Sequence, residues 1–201
     1  MTSSDTFDFL ITAPSSRALR DAPRAPGAGV EVPTGATAWH RFAWSYRAAA
    51  DELADRAPAR PFSRATFGPP MLFLYRQAVE LQLKALLADA GELLDDPQAV
   101  PPWHELPRLW VRVRALLLRV DPGADGPWFA RADAIVAELD ALDPGSFAFR
   151  YPVDTGGTPS LPEPLLVDPA NVRRIFDELF VLLDGAASQI HEYAGYKLEM
   201  R

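Results

Sequence analysis

The sequence predicts an all-α fold, a helical bundle of about five helices carrying one short extended or hairpin insertion near 146–167. Three observations predict it. Apolar residues recur three and four apart along several segments. One segment, at about 69–90, is apolar nearly all round, as a helix at the middle of a bundle is. Prolines and glycines stand where such helices would start and stop.

The elements follow in order. Residues 1–35 open with an apolar cluster, Phe7, Phe9, Leu10 and Ile11. They continue through Pro, Gly, Ala and Ser with scattered Arg, which reads as an extended arm. That arm either packs on its own domain or crosses to a partner subunit. The first helix is expected at about 36–56, capped by Thr37, with Trp39, Phe42, Ala43, Tyr46, Ala50 and Leu53 on one face. A Pro-rich connection covers 57–68. The second helix is expected to begin near Pro69 and Pro70 and to end near Gly91, a length of about 33 Å at about 1.5 Å per residue.

The third helix is expected at about 105–121, with Pro107 in its first turn and Leu109, Trp110, Val113, Leu116, Leu117 and Val120 in period. The fourth covers about 127–142, with Trp128, Ala132, Ile135, Val136 and Leu139 facing in. The turn Asp143-Pro144-Gly145-Ser146 ends it. In 146–167 the period changes. Phe147, Phe149, Tyr151 and Val153 alternate as in a short strand, and Thr155-Gly156-Gly157-Thr158 is a turn. The last helix is capped by Asp168, starts at Pro169 and runs to about 198. Val172, Ile175, Leu179, Leu182, Ala186, Ile190 and Tyr193 face in, and Gly185 is a weak point. Residues 36–201 thus read as a single bundle domain.

Composition bounds the function. With 201 residues, 48% of them apolar and 23% charged, the chain can bury a real core. It holds no cysteine, so disulfides, thiolate metal sites and cysteine nucleophiles are excluded. No run of about 18 apolar residues exists, so no membrane span is expected. The N-terminus does not read as a signal peptide, and a cytoplasmic location is the default. The net charge of −7 argues against tight non-specific DNA binding. The excess of arginine over lysine reads as coding bias.

Most catalytic signatures are missing. No Gly-rich phosphate loop, no Ser nucleophile elbow and no His or carboxylate pair at metal spacing is present. His40, His104 and His191 lie far apart in sequence, so no metal site and no cofactor are expected. The unusual feature is the line Arg76, Glu80, Lys84 on the second helix. Residues four apart turn only about 40° from one another, so all three share one face of a helix that otherwise wants burial. Such charges must be paired, reach an edge, or bind a ligand. An internal ion-pair series and a polar ligand groove between helices are both open.

Two further features stand out. His104, in the stretch WHELP, either bonds free backbone groups at a helix start or moves a proton. Arg150, within FAFRYPVD beside Tyr151, either pairs a carboxylate or offers a fork for phosphate. Arg108, Arg112 and Arg119 read as a solvated face.

FLYRQAVELQLKALL (73–87), WHELPRLW (103–110) and SFAFRYPVDTGGTPSL (146–161), followed by a long last helix, occur in one order. Together they resemble the HEPN superfamily of helical domains, named for nucleotide binding in higher eukaryotes and prokaryotes. They are most similar to a bacterial group within or beside it, whose members read Arg-His-x-x-Glu-Leu-x-Leu-Lys, then Gly-His-x-Leu, then Phe-Arg-Tyr-Pro. The resemblance covers about residues 69–198. It implies a dimerising helical bundle. Many HEPN domains are metal-independent RNases of toxin–antitoxin, CRISPR and anti-phage systems, built on an Arg followed by a His after four to six residues.

This chain departs from that pattern. None of its histidines has an arginine five to seven positions before it, and Gln77 stands where the bacterial group has His. A neutral amide is no general acid or base. The expectation is therefore a catalytically degenerate HEPN-like binding or assembly module, a homodimer, in a bacterial defence or toxin–antitoxin system. Its partner would be a protein, an RNA or a nucleotide. The alternatives are a metal-independent RNase with a rearranged site of Arg76, Glu80, His104 and Arg150, in which His104 and Arg76 are the catalytic candidates, and a nucleotide or small-ligand binder. The ligand-binding set is Arg76, Glu80, Lys84, Arg150 and Tyr151.

Overall fold

The computed structural model describes residues 32–35, 38–59, 61–124 and 126–200, without the side chains of 59 and 61–65. The arm up to residue 31 and the Thr37 cap lie outside the described residues. From Pro33 onward the described residues belong to one unit, Pro33–Arg201.

Among the described residues there are five α-helices: α1 (Trp39–Arg56), α2 (Pro61–Leu93), α3 (Leu106–Val120), α4 (Pro127–Leu142) and α5 (Pro169–Glu199). A short 3-10 turn, Ala57–Ala59, follows α1. The all-α expectation holds. α2 packs against α1, α3 and α5, while α4 lies against α3 and α5. This centrality follows from its composition. Met71, Leu72, Tyr75, Ala78, Val79, Leu83, Leu86, Leu87 and Ala90 are all buried, and they point in several directions around the axis. The core joins them to Leu109, Trp110 and Val113 of α3, Ile135 and Val136 of α4, and Phe176, Leu179 and Leu183 of α5. Tyr75 stacks on Phe176 at 4.3 Å and donates its hydroxyl to Asp51 at 2.6 Å, tying α2 to α5 and α1.

Several expectations need correction. α2 starts at Pro61, not near Pro69, and carries Pro69 and Pro70 inside it. The two prolines supply no N–H to the helical ladder and crowd the carbonyls one turn back, a local cost that leaves the helix continuous through them. α2 ends near Gly91 as expected, but two residues beyond it, at Leu93, so Gly91 lies inside the last turn. A Cβ at Gly91 would lie 2.8 Å from Asp96 O and 2.8 Å from Gln98 N, so glycine is needed there for the close return of the chain.

Trp128 is exposed rather than inward. The first turn of α4 is set by Phe129, whose ring lies 5.8 Å from that of Trp110 on α3, and Trp128 is about 100° away round the helix. On α5 the buried stripe runs through Val172, Phe176, Leu179, Phe180, Leu183, Ala187 and Ile190. Ile175, Leu182 and Ala186 flank it, and Tyr193 is exposed. α5 continues through Gly185 without interruption.

The expected strand at 147–153 does not form, and no strand occurs among the described residues. The Asp143 carboxylate accepts the N–H groups of Phe147 and Ala148, and the N–H groups of Arg150 and Tyr151 turn back to Phe147 O. Local capping thus overrides the period-two pattern. What remains of the hairpin is one antiparallel bridge, Val153 to Pro159, across a turn held by the Asp154 carboxylate. No described helix is long and apolar enough to cross a membrane.

Candidate functional site

Arg76, Glu80 and Lys84 lie on one face of α2, and all three are buried. Glu80 is the hub. Its Oε2 accepts Arg76 Nη1 at 3.2 Å, and its Oε1 accepts Lys84 Nζ at 2.8 Å. The other Arg76 nitrogens are also engaged: Nε donates to Asp143 O at 3.1 Å and Nη2 to His104 O at 2.9 Å. Asp143 Oδ2 lies 3.3 Å from Arg76 Nε and adds a second anion. Two buried basic side chains therefore face two buried carboxyl groups. Burial lowers the Arg76 pKa, while Asp143 and Glu80 oppose that fall.

The cluster has an architectural role. Asp143 ends α4, and its carboxylate holds the turn after it. His104 precedes α3. Through Arg76, α2 therefore fixes the end of α4 and the entry of α3. The two backbone carbonyls it engages each lie beside a helix end: Asp143 O, which also accepts the Ser146 N–H at 3.4 Å, and His104 O, two residues before α3.

His104 is the cluster's exposed member. Its Nδ1 lies 2.8 Å from Glu80 Oε1, yet 55% of its side chain is open to solvent. Of the rearranged site Arg76, Glu80, His104 and Arg150, the first three meet, with Lys84 beside them, but Arg76 has no exposed surface with which to touch a ligand and Arg150 does not join them. Arg150 and Tyr151 stand elsewhere. The Arg150 guanidinium donates to Ser146 O and lies over the rings of Phe73 and Tyr151, at 5.8 and 5.6 Å. Both residues line a cleft of about 530 Å3 with Pro69, Phe149 and Leu161. Arg108 and Arg112 are not simply solvated, since both lie over the Trp103 ring, at 4.1 and 5.9 Å.

Two features are not evident from the sequence. Asp143 is legible there only as a turn residue. The second is the set formed by His40 on α1, Asp89 on α2 and His191 on α5. His40 Nε2 lies 2.6 Å and His191 Nε2 3.4 Å from Asp89 Oδ2. The hydrogen bond and charge of Asp89 raise the His40 pKa against the effect of burial. No local motif could reveal this set, because each member comes from a different helix.

Comparison with family models, with curated proteins and with solved structures returned no match.

Proposed function

We propose that the protein is a HEPN-like binding or assembly module without ordinary nuclease activity, working as a homodimer. The observation that carries this reading is the closure of the α2 charges on themselves. Arg76 is wholly buried, its three nitrogens all have partners, and Lys84 is held by Glu80. A nuclease arginine must reach a phosphate, and this one does not. The missing Arg-to-His spacing and Gln77 agree with it. The resemblance sets such a module in a bacterial defence or toxin–antitoxin system.

The test is light scattering on the full chain, with a broad RNA panel incubated in chelator. A dimer and intact RNA are expected. A monomer at every concentration, with no partner recovered by pull-down, would contradict the reading.

One observation favours a second reading, a metal-independent RNase. A half-exposed imidazole oriented by a buried carboxylate is the arrangement of a general acid or base. In that reading RNA is cut in chelator, and His104→Ala abolishes the cut. Cleavage that survives His104→Ala would remove it.

A further inference from the structure

The His40, Asp89 and His191 set is not used by the proposed function. Their ligand atoms all lie within 4.8 Å of one another. Both rings turn Nε2 toward one oxygen, Asp89 Oδ2, and the rings themselves stand edge to face at 5.6 Å.

A supporting shell fixes how His40 presents itself. Gln82 donates Nε2 to Asp184 Oδ1 at 3.4 Å, and Asp184 is in turn held by Arg47 at 3.0 Å. The amide oxygen of Gln82 therefore faces His40 Nδ1, at 3.2 Å, and takes the proton of that nitrogen. The lone pair of the neutral ring is then on Nε2, which points at a carboxylate oxygen only 2.6 Å away. Two acceptors so close need a positive charge between them, either the proton of a His40–Asp89 hydrogen bond or a metal ion that takes its place. An imidazole whose second nitrogen donates to an outer partner is how proteins present histidine to metals.

We infer that His40, Asp89 and His191 form a binding site for a divalent transition-metal ion such as zinc. Two imidazoles and one carboxylate are the donors of such ions, and they suit zinc better than magnesium or calcium. Tetrahedral zinc with ligands at about 2.0–2.1 Å sets its ligand atoms about 3.3 Å apart. The His191–Asp89 pair, at 3.4 Å, already has that spacing. The His40–Asp89 pair must open by about 0.7 Å, a side-chain adjustment. The open position belongs to water or an incoming ligand atom, because the two histidines border a cleft of about 290 Å3 that also exposes Ser188 and Trp44. Three protein ligands and an open position distinguish this site from a closed structural one.

The test is calorimetric titration of the tag-free full chain with Zn2+ near neutral pH, followed by Co2+ absorption spectra. One equivalent of Zn2+ binds, Co2+ gives the bands of four- or five-coordinate nitrogen and oxygen ligation, and Zn2+ raises Tm. His191→Ala, an exposed change on α5, and Asp89→Asn each weaken binding at least about tenfold, and Gln82→Leu weakens it about tenfold through ring orientation. Circular dichroism verifies that each variant is folded. His40→Ala with His191→Ala in one chain removes binding. Absence of saturable Zn2+ binding to the wild type, or binding unchanged in that double variant, would overturn the inference.

Discussion

His104 Nδ1 and Lys84 Nζ each lie 2.8 Å from the same oxygen, Glu80 Oε1, yet one side chain is more than half exposed and the other is buried. The two contacts therefore differ in worth. Lys84 and Arg76 neutralise Glu80 inside the bundle, where water cannot. His104 adds a bond at the rim.

His104→Ala is accordingly expected to cost under about 1 kcal/mol of stability, the scale of an exposed pair. The Arg76 contact to residue 104 is to the backbone carbonyl and survives the change. Urea melts check this, and a larger loss would mean that the ring is part of the core cluster.

Two glycines should respond in opposite directions. Gly91→Ala drives a Cβ to 2.8 Å from two backbone atoms, and overpacking of this kind costs about 1–3 kcal/mol. Gly185→Ala meets nothing within 4 Å in the interior of α5, so it should stabilise by about 0.5–1 kcal/mol through helix propensity. Thermal melts of the two variants test both signs.

Stability should also depend on pH through His40. Its folded pKa is raised above the ordinary 6.5, chiefly by the hydrogen bond to Asp89. A raised pKa means that the folded state holds the proton more tightly than the unfolded chain. The stabilisation is fully present below about pH 6.5 and is lost as pH rises through the folded value. Asp89, Asp184, Arg47 and His191 are charged or titratable groups around it. Denaturation midpoints in chelator, measured from about pH 6.5 upward, should fall more in wild type than in Asp89→Asn. Parallel curves would show that the pair does not contribute.

The helices were legible because α1, α3, α4 and α5 each have one buried face and clear ends, such as Asp168 before Pro169. The departures have local causes. Pro69 and Pro70 look like a start, but the helix runs on through both of them from Pro61. FAFRY looks like a strand, but Asp143 caps the segment into a turn. The site was half legible. Spacing put Arg76, Glu80 and Lys84 on one face and burial required partners, but the partners Asp143 and the His104 carbonyl come from distant segments. His40, Asp89 and His191 are farther apart still in sequence, and only the packing of α1 and α5 on α2 brings them together.

The α2 charges serve the fold. Glu80→Gln keeps the shape of the hub and removes its charge, leaving Arg76 and Lys84 buried with Asp143 as the remaining anion. The measurement is the unfolding free energy of Glu80→Gln against wild type by urea denaturation at neutral pH. Loss of an uncompensated buried partner predicts a drop of about 3–5 kcal/mol. A drop below about 1 kcal/mol, the scale of an exposed pair, would contradict the account and return the line to the role of a ligand groove.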